Sequence, residues 1–301
     1  MTSAPFSPAP ADPPADPAFG ATLDALAAVL AGRRIAILAG AGLSTDSGIP
    51  DYRGPETRHR ARNPVQYNAF VAAGDEGAAA RQRYWARASL GWARIGRARP
   101  NSGHRAIADL ESAGVATGVV TQNVDGLHHA AGSRRVVELH GALGRVVCLG
   151  CRAAYARADV QRWTDAANPH HALRAAARAA ETAPDGDVEL DGDAVAAFVV
   201  PACPACGGAL KPDVVFFGES VPAPTVAAAW AVYEAADALL VVGSSLAVYS
   251  GLRFVHRAAR EGKPVALVTL GETRADALVT VKADAPLGAV LPALARRLMG
   301  G

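Results

Sequence analysis

A doubly wound parallel α/β sheet carrying a smaller zinc-containing unit formed by insertions is the fold that three features of this 301-residue sequence predict. Short continuous apolar runs alternate with segments of helical periodicity, as strands covered on both faces alternate with their crossover helices. A glycine-rich turn directly follows the first of these runs, where open α/β sheets place a ligand crevice. The four cysteines fall into two Cys-x-x-Cys pairs, Cys148 with Cys151 and Cys203 with Cys206. Each pair can bring two thiolates to one tetrahedral metal.

Taken in order, residues 1–20 are rich in proline and alanine and lack both an apolar core and any lysine or arginine, so a disordered arm is expected. A secretory signal would need a basic start and an apolar run, and a mitochondrial presequence would need arginines. Neither fits, and the cytoplasm is the expected compartment. Leu23, Leu26, Ala27 and Leu30 then recur at helical spacing up to Gly32, which can cap the helix. Apolar runs at 35–38, 118–120, 136–139, 239–242 and 265–268 read as strands, and 102–112, 224–236 and 252–260 read as helices between them.

Two stretches break the rhythm. Residues 55–100 are mostly helical and crowd Arg81, Arg83, Tyr84, Trp85, Arg87 and Trp92 together. Residues 148–210 carry the cysteines and a loop around Pro184-Asp185-Gly186. The expected division gives 21–54, 101–147 and 211–301 to a nucleotide-binding domain and 55–100 with 148–210 to a small domain, with the crevice between them.

Composition excludes several functions. Thirty basic residues against 28 acidic ones leave a net charge of +2 spread along the chain, which offers nucleic acid no bulk attraction. No apolar run approaches the roughly 20 residues of a membrane span.

About fifty residues separate the cysteine pairs, more than the roughly 15 to 20 usual for paired zinc knuckles, so an insertion must loop out. Gly150, Pro204, Gly207 and Gly208 supply turn chemistry. Two disulfides or four buried thiols are the alternatives, but matched short spacings and a reducing compartment favour one zinc ion. Four thiolates leave no open position for water, so the metal is expected to be structural and a zinc hydrolase is disfavoured.

In the turn Gly40-Ala41-Gly42-Leu43-Ser44, followed by Ser47-Gly48-Ile49-Pro50-Asp51-Tyr52-Arg53, small residues let backbone amides approach a pyrophosphate. Glycines at 40, 42 and 48 do not form Gly-x-Gly-x-x-Gly, so a dehydrogenase fingerprint is absent and a structural turn would read the same. The whole set of motifs is more specific. That segment, Thr121-Gln122-Asn123-Val124-Asp125, His140-Gly141, the paired cysteines, Phe217-Gly218-Glu219 and Gly243-Ser244-Ser245-Leu246 occur in the order of the sirtuin signature, over about residues 21–298. Sirtuins, which the chain thus resembles, are NAD-dependent protein lysine deacylases with a Rossmann-type domain and a small zinc domain.

The resemblance implies that Gly40, Ala41, Gly42 and Ser44 line the pyrophosphate, that Ile49 and Pro50 also contact the cofactor and that Asp51, Tyr52 and Arg53 belong to the mobile cofactor loop, Tyr52 standing where the family usually has phenylalanine. It places Gln122 and Asn123 at the nicotinamide ribose, Val124 and Asp125 at the carboxamide, and Gly243, Ser244 and Ser245 at phosphate and ribose. Thr269, Leu270 and Gly271 fall on the adenosine side, where many sirtuins begin with asparagine, and Leu287 completes the cofactor set. Val215, Phe216, Phe217, Gly218 and Glu219 with Leu246, Ala247 and Val248 would sandwich a substrate strand through its backbone.

His140 ends the 136–139 run, and an imidazole can accept a proton near neutral pH. Residue type alone would leave it structural; the resemblance makes it the catalytic base, with Asn123 beside it. By the family's mechanism the acyl oxygen of a modified lysine attacks the ribose carbon as nicotinamide leaves. His140 then deprotonates the ribose, and the products are lysine, nicotinamide and O-acyl-ADP-ribose. No protein nucleophile is needed, consistent with the absence of a Gly-x-Ser-x-Gly elbow. An ADP-ribosyltransferase using the same NAD site and a non-catalytic NAD-sensing module are the alternatives.

Longer strings, among them 81–87, 183–188, 210–219 and 242–251, resemble class II sirtuins of the sirtuin-four type, which implies a preference for glutaryl-type, lipoyl or long-chain acyl groups over acetyl. Tyr84-x-x-Arg87 also resembles a pair that reads acyl carboxylates in another branch, and residues three apart share a helix face. An aromatic helix packed on the core would look the same. Residues 164–197 resemble the class II loop. The expected partners are acylated-lysine proteins, with the enzyme a monomer.

Overall fold

The computed structural model describes residues 17–52, 64–169 and 195–300. Arg53, the loop at 184–186 and the arm up to residue 16 lie outside the described residues. Helix α1 (Pro17–Leu30) begins inside the stretch expected to be a disordered arm, because Leu23, Leu26 and Leu30 bury one face of it.

Five apolar runs become strands of one six-stranded sheet. These are β1 (Ile35–Ala39), β2 (Ala116–Thr121), β3 (Val136–Glu138), β7 (Ala238–Val242) and β8 (Val265–Val268), and β9 (Val281–Ala283) adds the edge. Their order is β3-β2-β1-β7-β8-β9, all parallel. Every residue of β1 and β7 is buried. Ile35, Ile37 and Ala39 enter one apolar layer with α1, α4 (Ser102–Ser112) and α9 (Leu287–Met299). Ala36 and Leu38 enter the opposite layer with α7 (Ala223–Glu234) and α8 (Tyr249–Glu261). Burial on both faces is what removes the polar alternation from these runs.

A second, antiparallel sheet has the order β5-β4-β6, with β4 (Gly141–Cys148), β5 (Ala154–Ala156) and β6 (Leu210–Val214). It therefore takes residues on both sides of the boundaries at 147 and 211 expected from sequence. Helices α2 (Tyr67–Val71), α3 (Gly74–Ile95) and α6 (Arg157–Ala167) surround it, and their shared core holds Phe70, Trp85, Val146 and Leu210. Fully buried Trp85 donates its indole N–H to the Leu210 carbonyl at 3.0 Å, and the Arg157 guanidinium sits 5.2 Å from the Trp85 ring and 5.0 Å from Trp92. Such cation–π stacking keeps a buried arginine solvated by ring faces. The remaining short helix, α5 (Leu127–Ala130), follows β2.

The chain passes from one sheet to the other at His140 and Gly141. β3 ends just before His140, and β4 starts just after it at Gly141, whose φ is 78°. A Cβ there would lie 2.0 Å from the Asp213 carbonyl oxygen, so only glycine lets β4 close on β6 directly behind the histidine.

Candidate active site

The chain builds β1, β2 and β3 towards one edge and then places β7, β8 and β9 on the other side of β1. The order reverses between β1 and β7, the switch point at which open α/β sheets leave a crevice beyond their strand ends. Gly40 follows β1 and Gly243 follows β7, and they meet there: the Gly40 amide donates to Val242 O at 2.9 Å and the Gly42 amide to Gly243 O at 2.8 Å. Gly243 has φ 62°, and a Cβ on it would stand 2.4 Å from the Leu43 nitrogen. Small residues on both turns create the close-packed floor of the crevice.

The segment after β2 locks onto that floor. The Asn123 amide donates to Gly40 O at 3.0 Å and to Ser44 Oγ at 3.1 Å, while Ser44 donates to Asp125 Oδ2 at 2.7 Å. Leu127 N donates to the other Asp125 oxygen at 2.9 Å. Burial nevertheless raises the Asp125 pKa, opposed by the Leu127 and Ser44 hydrogen bonds. Gln122 reaches across to Ser244 Oγ at 2.8 Å, and Leu246 N donates to the same oxygen at 3.2 Å. With both acceptor directions filled, the Ser244 proton is left to donate to a ligand.

His140 lies between the segment after β2, the start of α8 and the segment after β6. Its Nδ1 is 3.0 Å from the Gln122 carbonyl and its Nε2 is 2.8 Å from Ser250 Oγ. A carbonyl only accepts, so Nδ1 carries the proton and Nε2 presents its lone pair. Burial lowers the His140 pKa; the Gln122 carbonyl opposes this and the Arg253 cation adds to it. The imidazole is thus a neutral base.

Around this centre, Ile49 is buried and its amide donates to Ser44 O at 3.2 Å, with Pro50, Asp51 and Tyr52 half-buried after it. Val124 O accepts from Leu143 N at 2.8 Å. After β8, Thr269 is buried, Leu270 is exposed, and the Gly271 amide donates to Asp284 Oδ1 at 3.1 Å. Leu287 starts α9 and packs into the core beneath the crevice.

The two segments expected to hold a substrate strand, 215–219 and 246–248, flank His140. Val215 N donates to His140 O at 2.8 Å, and Phe216 N to Glu219 Oε2 at 2.9 Å. Buried Lys211 pairs with that carboxylate at 2.9 Å and lies 4.5 Å from the Phe216 ring, which fixes the bend at Gly218. Phe217 is exposed, and its carbonyl accepts from Tyr67 N at 2.9 Å. Opposite, Leu246 holds a left-handed φ of 54°, a strained state for a branched residue, and Ala247 O accepts from Arg274 at 2.8 Å. Val248 caps α8. Tyr84 is buried edge-on against Phe70 and Trp85, with its centroid 5.2 Å from Phe216, and Arg87 is half-buried one turn away. Sequence reasoning missed Ser250, Arg253 and Lys211; Ser250 is 110 residues from its partner, and no local spacing signals that contact.

The cysteine thiols converge. All four Sγ atoms lie within 4.8 Å of one another, with Cys148 and Cys206 at 3.5 Å and Cys151 and Cys203 at 3.7 Å. A tetrahedron with bonds of about 2.3 Å has edges of about 3.8 Å. The donor set therefore fits one zinc ion better than it fits disulfides.

A family model described as the Sir2 family matches residues 40–250. The chain belongs to the Sir2 family. This sirtuin is 52% identical over 274 residues to a protein of Mycobacterium avium (strain 104) called NAD-dependent protein deacetylase 1, covering 91% of this chain and 94% of that one. It is also similar to a solved structure concerned with the mechanism and regulation of Sir2 enzymes, with a TM-score of 0.69 and 30% identity over 92% of this chain and 98% of the other. A structure of Sir2 bound to acetylated peptide matches with a TM-score of 0.65 and 28% identity over 94% and 96%.

Proposed function

We propose that this sirtuin is an NAD-dependent protein lysine deacylase with His140 as its base. The observation that carries the reading is the His140 ring, held with Nδ1 3.0 Å from the Gln122 carbonyl after β2 and Nε2 2.8 Å from Ser250 Oγ in the first turn of α8. NAD, when bound, supplies the ribose that accepts the acyl group and the nicotinamide that leaves. The chain's part is to seat phosphates on the Gly40–Gly243 floor, donate from Ser244, orient the ligand through Asn123 and Asp125, and take a ribose hydroxyl proton at His140 Nε2. The relative's NAD-dependent name and the acetylated peptide on the related structure support the cofactor and the acylated-lysine protein substrate. One structural zinc on Cys148, Cys151, Cys203 and Cys206 would hold the small unit, and a thiolate site suits the reducing cytoplasm.

We place the chain in the sirtuin-four type of class II, favouring glutaryl-type, lipoyl or long-chain acyl groups, on the strength of the strings at 81–87, 210–219 and 242–251. The string at 183–188 and much of 164–197 fall outside the described residues. Tyr84 packs into the core of the small unit against Phe70, Trp85 and Phe216, as an aromatic core helix would, so acceptance of acidic acyl groups rests on the Tyr84-x-x-Arg87 resemblance alone. ADP-ribosyl transfer to protein is the alternative on the same NAD site. A panel of acetyl, glutaryl, lipoyl and long-chain acyl-lysine peptides with NAD, read by mass, tests both. Non-acetyl peptides should turn over faster, and Arg87→Ala should lower glutaryl relative to acetyl turnover. Acetyl as the best substrate ends the class II preference, and a peptide heavier by ADP-ribose supports the transferase.

A further inference from the structure

Ser250 is placed against the lone pair that deacylation requires. With Nδ1 of His140 committed to the Gln122 carbonyl, the 2.8 Å contact at Nε2 is a hydrogen bond donated by the Ser250 hydroxyl. An imidazole nitrogen has one in-plane lone pair, so a ribose hydroxyl and the serine cannot both occupy it. Only the hydroxyl has to move to release it. The backbone at this point is fixed: Ser250 lies in the first turn of α8, and its carbonyl accepts from Arg253 Nε at 3.1 Å. Arg253 is itself held 5.5 Å from the Phe254 ring and 5.6 Å from Trp230. One rotation about the Cα–Cβ bond swings Oγ away while the helix and the imidazole stay in place.

We propose that Ser250 is a positioning residue whose hydroxyl holds the place of the ribose hydroxyl at Nε2. In the ligand-free enzyme it aims the ring and keeps Nε2 unprotonated; on binding it yields that nitrogen to the dinucleotide. In the chemical step the ribose O–H breaks and the Nε2–H bond forms, while Ser250 keeps its own proton throughout. The competitor is named from the deacylase reading, on which this inference rests; the serine–imidazole contact does not depend on it.

Displacing one neutral hydrogen bond weakens dinucleotide binding by about 2- to 10-fold. Ser250→Ala should therefore tighten NAD affinity, measured by calorimetry, and lower KM for NAD by about that factor, whereas Ser250→Thr keeps the wild-type values. In the absence of NAD, the nitrogen NMR resonance of His140 Nε2 should move towards that of an unbonded imidazole nitrogen in Ser250→Ala and stay in place in Ser250→Thr. If the alanine variant does not fold, Ser250→Cys, a weak donor, should show the same sign at smaller size. An unchanged or weakened NAD affinity overturns the proposal whatever the resonance does, as does complete failure of wild type to bind NAD. Binding without turnover removes the deacylase reading alone, and the affinity ratio still judges Ser250.

Discussion

His140 is gripped at both ring nitrogens, and burial favours its neutral form. General-base removal typically costs about 10²- to 10⁴-fold, so His140→Ala should lower formation of deacylated peptide and O-acyl-ADP-ribose by that range while calorimetric NAD affinity stays within a few-fold. Because the folded pKa lies below the ordinary 6.5, the base form is kept at neutral pH and lost only as pH falls through the lowered value. The acidic limb of kcat/KM should accordingly sit below pH 6.5. A second buried pair affects stability instead. His104 and His128 stack edge to face at 5.1 Å. Burial, with a smaller push from Arg105, takes His104 to about 4; burial, His104 and His129 take His128 to about 3. The unfolded chain then binds protons that the folded chain refuses. Their stabilisation is whole above about 6.5 and falls, by about 1.4 kcal/mol per pH unit for each, as pH drops towards about 4. Urea unfolding of His128→Phe should show a shallower loss between pH 6.5 and 4.5 than wild type.

At the level of elements, five of the six strands of the large sheet were legible, β1, β2, β7 and β8 because two apolar layers bury them; the short edge strand β9 and, in the small sheet, β4 and β6 were not. In β4 the exposed pair Gly144 and Arg145 splits the buried residues, with a register break between Ala142 and Val146, and Pro212 interrupts β6. Neither leaves a continuous apolar run. The cysteine spacing, by contrast, announced its own geometry, whereas His140 was singled out only by the sirtuin resemblance, its residue type alone leaving it structural. Ser250 and Lys211 act through contacts that only the folded chain creates. Gly243→Ala tests the switch-point turns: strain at φ 62° and the clash with Leu43 should cost about 1–3 kcal/mol of stability and weaken NAD binding more than 10-fold. Cys203→Ser should abolish zinc by elemental analysis. Hydrogen exchange should then rise in β4 and β6 while β1 and β7 stay protected.

Across the whole molecule, the strand order puts the first and fourth parallel strands side by side, and the small sheet continues from the large one through His140. The fold thereby brings the turns after β1 and β7, His140 and the segment after β6 to one place. Among the described residues no helix is long and apolar enough to cross a membrane. The central claim is that this one crevice joins NAD and an acylated lysine through His140. Its most direct test is a single-turnover reaction of excess enzyme with NAD and an acylated peptide, followed by mass spectrometry. Wild type should yield nicotinamide, deacylated peptide and O-acyl-ADP-ribose in equal amounts, and His140→Ala should yield almost none of the last two. Deacylated peptide formed without nicotinamide, or undiminished product from His140→Ala, would contradict the account.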